Sequence, residues 1–160
     1  EPAIAPDRPA TQAPTSPVDL SGLRVLLAED DATNRMVALR MLSRIGAHAD
    51  VARDGVEAVA AFQDKDFDLV LMDVHMPRLD GAAATARIHE LADAAGRPRP
   101  LIVAVTANAL EGDSERLLAA GMDGYLSKPV TLSALGGLLA AVAAGRPLPS
   151  GRSALSGVLA

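Results

Sequence analysis

The stretch "LVLMDVHMPRLDG" (Leu69–Gly81) begins with four consecutive apolar residues and then turns abruptly to an aspartate, Asp73. A proline-bearing loop follows at once and closes on Asp80 and Gly81. A short apolar run bounded by turn residues is typical of a strand that is buried on both faces. The stretch therefore predicts a buried strand over Asp68–Met72, with the carboxylate of Asp73 placed where that strand ends.

The same alternation of short apolar runs and helical periods extends on both sides of this stretch. The other predicted strands are Arg24–Ala28, Ala47–Ala52, Leu101–Thr106 and Gly124–Ser127. The predicted helices contain the period Ala38, Met41, Leu42 and Ile45 closed by Gly46, then Gly55–Phe62, Ala82–Ala95, Leu110–Ala120 and Leu135–Val142, the last with Thr131 as N-cap. Five strand–helix units in succession predict an α/β fold, with a parallel sheet covered by helices on both faces.

Reactive side chains stand at or just beyond the ends of four predicted strands. They are Glu29, Asp30 and Asp31 after the first strand, Asp73 after the third, Thr106 at the end of the fourth and Lys128 beyond the fifth. In open parallel sheets the ligand crevice lies outside the carboxyl ends of the strands. We therefore expect these groups to gather at one edge of the sheet.

Carboxylates brought together repel one another unless a cation lies among them or some are protonated. Oxygen ligands of this kind suit Mg²⁺, which also takes phosphate oxygens, so the pattern predicts a phosphoryl site with Mg²⁺ or Mn²⁺. Asp73 would attack phosphorus and form an acyl phosphate. Lys128 would supply positive charge to the phosphoryl oxygens, and Thr106 a hydroxyl donor.

The composition of the 160 residues excludes several classes of protein. Aromatic residues make up only 2% and the formal net charge is −5, which disfavours binding to nucleic acid. Without cysteine there is neither a disulfide framework nor a thiolate zinc site. No apolar run approaches the roughly 20 residues of a membrane span. We expect a cytoplasmic piece of a longer protein, and any membrane anchor would belong to the full-length parent.

The two ends of the chain differ in composition from its centre. Residues 1–22 hold five of the eleven prolines and are predicted to form a semi-extended linker. Residues 23–145 are predicted to form one domain, and residues 146–160 a C-terminal tail.

Four motifs together resemble the receiver domain of two-component response regulators. They are "LLAEDD" (Leu26–Asp31), "LVLMDVHMPRLDG" (Leu69–Gly81), "VTANA" (Val105–Ala109) and "GMDGYLSKPV" (Gly121–Val130). The resemblance covers residues 23–145 and implies a flavodoxin-like sheet with strand order 2-1-3-4-5. It implies that the domain accepts a phosphoryl group from a phosphohistidine.

The resemblance also implies roles for individual residues. Asp73 matches the phosphoacceptor, Asp30 the direct magnesium ligand, and Glu29 its partner, which acts through water. The backbone carbonyl of His75 matches the third protein ligand. The remaining matches are Thr106 as switch hydroxyl, Lys128 as the lysine that pairs with the phosphoryl group, Tyr125 as the aromatic that swings inward, Lys128–Pro129 as a cis peptide bond, Gly81 as the glycine that follows the loop, and His75 with Asn108 as positions that tune hydrolysis.

Asp31 falls outside the acidic pair and is a candidate helix cap. Phosphorylation would change the surface of the fourth helix, fifth strand and fifth helix. His48 and His89 are expected at the surface, and Met36, Met41, Met72 and Met122 in core or loop packing.

The stretch "EDDATNRMV" (Glu29–Val37) resembles receivers fused to hybrid sensor histidine kinases, so the parent is expected to be such a kinase.

The expected partners are a histidine kinase domain or a histidine phosphotransfer protein, with no nucleic acid and no membrane contact by this piece. The domain is expected to be a monomer or a weak, phosphorylation-dependent dimer. It is not expected to be an enzyme beyond its own dephosphorylation, because the sequence contains neither an ATP-binding glycine box nor a phosphorylatable histidine motif.

Three alternatives stay open from the residues alone. A degenerate receiver would serve as an unphosphorylated scaffold. A magnesium-dependent phosphohydrolase would place an acid two residues after its nucleophile, where this chain has His75. A nucleotide site would have to lack both common glycine-rich phosphate motifs, which are absent here.

Overall fold

The structure, a computed structural model, describes residues 20, 22–107 and 111–144, with side chains omitted for residues 111–114. Strands and helices alternate along the chain as β1 (Val25–Ala28), α1 (Ala32–Ile45), β2 (Ala49–Ala52), α2 (Gly55–Asp64), β3 (Leu69–Asp73), α3 (Gly81–Ala95), β4 (Leu101–Thr106), α4 (Glu111–Ala119), β5 (Gly124–Ser127) and α5 (Leu132–Ala143). All strand pairs are parallel, and their order is β2-β1-β3-β4-β5. The predicted fold class and strand order are confirmed.

Each strand sends alternate side chains to opposite faces of the sheet, so the core consists of two apolar layers. Leu26 and Val70 belong to the layer under α2, α3 and α4. Leu27 and Leu71 belong to the layer under α1 and α5, together with Leu138. Because both faces of the sheet are covered, β1 and β3 are buried along their whole length.

Short polar side chains begin four of the helices. The N-cap residues are Asp31, Asp54, Asp80 and Thr131 for α1, α2, α3 and α5 respectively. Each side chain accepts a hydrogen bond from the backbone N–H three residues later, which satisfies one otherwise unpaired donor of the first turn. The caps fix where each helix leaves the carboxyl edge of the sheet, and the predictions for Asp31 and Thr131 are confirmed.

Besides shifts at the ends of other elements, four expectations from the sequence need correction. The third strand ends on Asp73 itself, since Asp73 is in register with Val105 of β4. Leu20, inside the predicted linker, is only 5% exposed because it packs under the α1 and α5 layer. Met36 is 52% exposed instead of packed in a core or loop. His89 is half-buried, because its ring lies against Gly121.

The described residues contain no helix long and apolar enough to cross a membrane. Residues 1–19 of the predicted linker and the whole predicted tail lie outside the described residues.

Candidate functional site

Three carboxylates converge at the carboxyl edge of the sheet. Glu29 and Asp30 follow β1, and Asp73 is the last residue of the adjacent strand β3. One carboxylate oxygen from each residue lies within 4.8 Å of the other two. Glu29 and Asp73 are buried, whereas Asp30 is exposed. The predicted acidic cluster is therefore assembled in the structure.

Lys128 follows β5, the edge strand of the sheet, and its side chain extends to this cluster. Its Nζ lies 3.3 Å from Glu29 Oε2 and 3.4 Å from Asp73 Oδ2. Its backbone N–H donates to the carbonyl oxygen of Thr106 at 2.8 Å, which ties the segment after β5 to the end of β4. The peptide bond between Lys128 and Pro129 is cis, as the resemblance implied. Burial lowers the pKa of Lys128, but the charges of Asp73 and Glu29 outweigh it and the net shift is upward.

Glu29 is the carboxylate whose protonation is most perturbed by the site. Its exposed fraction is 5%, and its Oε1 accepts a hydrogen bond from the N–H of Asp31 at 3.1 Å. Burial, reinforced by a hydrogen bond with Asp73, raises the pKa of Glu29 from 4.5 to about 7. A cation bound beside Glu29 would favour its charged form and so lower its pKa again.

The donor set fits Mg²⁺ or Mn²⁺. Carboxylate oxygens are the hard ligands that these ions prefer, and the exposed Asp30 leaves room for the water ligands that Mg²⁺ retains. The N–H of His75 donates to Asp73 Oδ1 at 3.3 Å, so the loop after β3 folds back over the phosphoacceptor candidate. His75 is exposed, and its backbone carbonyl stays the predicted third ligand.

Thr106 and Tyr125 lie on the same face of the sheet, with Thr106 opposite Ser127 and Tyr125 opposite Ala104 in the register. Alternation along β4 and β5 directs both side chains towards the layer that contains Leu117 of α4. Thr106 is 3% exposed and Tyr125 is 2% exposed. Both side chains thus lie on one buried face of the sheet, and the switch from Thr106 to Tyr125 stays a prediction. Asn108 lies outside the described residues.

Three residues beside the site were not identified from the sequence. Arg35 Nη1 donates to the carbonyl oxygens of Glu29 at 3.0 Å and Asp30 at 3.4 Å. These hydrogen bonds connect α1 to the loop that bears the acidic pair. Asp54, at the start of α2, is paired with Arg78 of the β3–α3 loop. Asp54 and Glu57 form an Asp-x-x-Glu pattern that is typical of the start of a helix, and this pattern could have identified Asp54 as a helix cap. For Arg35 and Arg78 no local signal exists.

The fold and this edge of the sheet define a class of protein: a doubly wound α/β domain with an acidic, lysine-containing crevice at the ends of β1, β3 and β5. The profile of the family described as "Response regulator receiver domain" matches residues 25–140. The chain belongs to this family, and it is a receiver domain of two-component phosphorelay signalling.

Relatives and solved structures agree with that assignment. "Histidine kinase 5" of Arabidopsis thaliana is 37% identical over an alignment of length 155, and the match covers 82% of this chain but only 17% of that protein. The chain thus spans a small part of this curated relative. The receiver domain of a sensor histidine kinase from Pseudomonas aeruginosa, solved with a magnesium ion coordinated in its active site cleft, is 35% identical with a TM-score of 0.68, covering 78% of this chain and 99% of that one.

A further solved structure shows a relative with a partner protein. A chain of the Saccharomyces cerevisiae complex between the histidine phosphotransfer protein Ypd1 and the receiver domain of Ssk1 is 28% identical, with a TM-score of 0.73. The match covers 79% of this chain and 92% of that chain.

Proposed function

We propose that this receiver domain takes a phosphoryl group from a phosphohistidine onto Asp73, with Mg²⁺ or Mn²⁺ held by Glu29, Asp30, Asp73 and the backbone carbonyl of His75. The convergence of three carboxylates and one lysine on a single point supports the proposal. The metal would supply charge neutralisation at the phosphoryl oxygens when bound.

The reaction is a transfer between two nucleophiles. A carboxylate oxygen of Asp73 attacks phosphorus, an O–P bond forms, the N–P bond to the donor histidine breaks, and the imidazole leaves with the electron pair of that bond. Lys128, already 3.4 Å from Asp73 Oδ2, stays charged and neutralises the phosphoryl oxygens as they arrive. Asp73 is only 4% exposed, so water would have limited access to an acyl phosphate formed there. Hydrolysis would later return the free carboxylate and inorganic phosphate.

The proposed switch step uses the face of the sheet that Thr106 and Tyr125 share. The hydroxyl of Thr106 donates to the phosphoryl group, the end of β4 moves, and Tyr125 re-packs within the layer shared with α4. The affinity of the surface formed by α4, β5 and α5 for a partner then changes. The phosphoryl group shifts the population only as far as it distinguishes the two states energetically.

The exposed face of α1 is the surface that we propose for the phosphodonor. Met36 and Val37 are 52% and 46% exposed, and both lie within two turns of the acidic pair. A cavity of about 470 Å³ opens beside them, lined by Val37, Met41 and Lys128 among others. Contiguous exposed apolar side chains beside a reaction site are typical of protein interfaces. The partner of this kind is a histidine kinase domain or a histidine phosphotransfer protein, in keeping with the Ypd1 complex of the yeast relative.

The parent protein is proposed to be a hybrid sensor histidine kinase that works in the cytoplasm. The kinase named as a relative matches this chain over a small part of its length, which supports a receiver joined to other modules. In this proposal the receiver domain spans residues 23–145, and it is a monomer or a weak dimer on phosphorylation. Reading the full-length gene product for a kinase core upstream of Glu1 tests the proposal.

The phosphoacceptor is tested with a small phosphodonor. Incubation of the chain with Mg²⁺ and acetyl phosphate should add the mass of one phosphoryl group, located at Asp73 by peptide mapping. Asp73→Asn and chelation of the metal should both abolish the gain, whereas Asp80→Asn, a helix cap in the same loop, should retain it. An inert wild type would favour the scaffold alternative, and turnover of p-nitrophenyl phosphate would favour the phosphohydrolase.

A further inference from the structure

The β3–α3 loop is joined to the start of α2 by an ion pair. Arg78 lies in this loop, and Asp54 is the N-cap of α2. Arg78 Nε donates to Asp54 Oδ2 at 2.8 Å, and Nη2 donates to the same oxygen. The Asp54 side chain is only 7% exposed, whereas that of Arg78 is 60% exposed. A buried carboxylate thus anchors a guanidinium that extends from the loop.

Both oxygens of this carboxylate are engaged. Asp54 Oδ1 accepts from the N–H of Glu57 at 2.8 Å, so the side chain is fixed to the first turn of α2 while Oδ2 holds Arg78. Since α2 packs on the sheet through Phe62 and Ala58, it is a rigid base for the loop.

Backbone contacts fix the same junction. A Cβ added at Gly55 would lie 2.1 Å from the carbonyl oxygen of Leu79, so the loop presses directly on the α2 backbone and no side chain fits between them. Arg78 has φ +69°, a left-handed conformation that costs a non-glycine residue free energy. Such a conformation persists where surrounding contacts hold it, and the bond to Asp54 is a contact of that kind.

The other half of the loop forms the site. The N–H of His75 donates to Asp73 Oδ1, and the N–H of Gly81 donates to the carbonyl of Val74 at 3.0 Å. Arg78 lies three residues after His75, so a shift of Arg78 is transmitted over a short and constrained path. We infer that the Asp54–Arg78 pair is a positioning device that holds the β3–α3 loop so that the His75 carbonyl and the Asp73 carboxylate face one metal ion. This inference rests on the proposed function.

Substitutions can remove the pair without removing the helix cap. Asn is as good an N-cap as Asp, so Asp54→Asn keeps an acceptor for Glu57 but presents an amide to Arg78. Arg78→Gln removes the guanidinium from the other side. Arg99→Gln is the matched control, because Arg99 also makes a two-bond pair, with an Asp93 side chain that is 58% exposed, at the opposite edge of the sheet.

Two measurements separate positioning from stability. Amide exchange of residues 75–80 in the metal-free protein should become faster in Asp54→Asn and Arg78→Gln, and unchanged exchange would overturn the inference. The Kd for Mg²⁺, measured by calorimetry, should rise about tenfold in both variants and no further in the double variant. At saturating Mg²⁺ the rate of phosphorylation by acetyl phosphate should return to within about twofold of wild type, since occupancy restores the geometry.

The outcomes also separate the inference from the proposed function. A lowered Tm with an unchanged Kd for Mg²⁺ would make the pair merely structural and overturn the inference. A wild type that takes up no Mg²⁺ would refute the proposed metal site, and with it the role of the pair in metal binding. Amide exchange would still decide whether the pair holds the loop, and Arg78→Lys should restore part of the protection.

Discussion

The free energy of unfolding of the metal-free protein should fall as the pH rises from about 5 to about 8, because Glu29 loses its proton. Burial, with a hydrogen bond to Asp73, raises its pKa from 4.5 to about 7. Between these values the folded protein holds a proton that the unfolded chain has released, so this contribution to stability is full below 4.5 and is lost as the pH rises through about 7. At about 1.4 kcal/mol per pH unit, the loss between about pH 5 and about pH 8 is about 2 to 3 kcal/mol.

Other groups titrate in the same range, so the comparison must be made against a variant. Burial lowers the pKa of His89, which acts in the opposite sense because the folded state then resists protonation as the pH falls. The pKa of Lys128 is raised, so its charge is constant over this interval. The difference between wild type and Glu29→Gln isolates the carboxyl, and Glu90→Gln, whose side chain is 72% exposed on α3, serves as control.

The assay is urea unfolding followed by circular dichroism, in chelator, at several pH values. The free energy of unfolding of wild type should fall relative to Glu29→Gln by about 2 to 3 kcal/mol across the range, a large share of the stability of a small domain. Saturating Mg²⁺ should remove the fall, because the ion favours the charged carboxylate. A wild type that tracks Glu29→Gln at every pH would refute the reasoning.

Three further predictions concern the fold and the donor surface. Gly55→Ala should destabilise the domain by about 3 kcal/mol in urea, because its Cβ would meet the Leu79 carbonyl; a loss below about 0.5 kcal/mol would contradict this contact. Thr131→Ala should lower the free energy of unfolding by about 1 kcal/mol and Thr131→Ser much less, and equal losses would show that the hydroxyl cap is irrelevant. Met36→Lys should slow transfer from a phosphohistidine protein about tenfold, or about 1.4 kcal/mol, with no effect on acetyl phosphate; equal slowing with both donors would exclude docking on α1.

The elements that were predicted well carry their own local signals. Leu101–Thr106 and Gly124–Ser127 have the predicted bounds, because each is a short run limited by turn residues. The helix α2 continues two residues beyond its predicted end to Asp64, since polar Gln63 and Asp64 add nothing to an apolar period. The prediction that Met36 packs in the core or a loop is wrong, because its apolar side chain suggests burial but lies on the exposed face of α1.

The residues of the candidate site were likewise predictable from the sequence only in part. The order of the motifs is enough to place Asp30, Asp73 and Lys128 at the same edge, because parallel strands end together. The pKa of Glu29 could not be foreseen, since it depends on the burial of Glu29 and its approach to Asp73. The Asp54–Arg78 pair joins residues 24 positions apart, and neither side chain announces the other in the sequence.

The central claim is that the Glu29, Asp30, Asp73 and Lys128 side chains form one pocket for a divalent ion and a phosphoryl group. A crystal structure of the chain with Mn²⁺ and beryllofluoride, a phosphoryl mimic, tests it most directly. The account predicts an anomalous manganese peak among the three carboxylates, with beryllium bonded to Asp73 and a fluoride contacting Lys128 Nζ. Manganese bound elsewhere, or beryllofluoride absent from Asp73 at full metal occupancy, would contradict it.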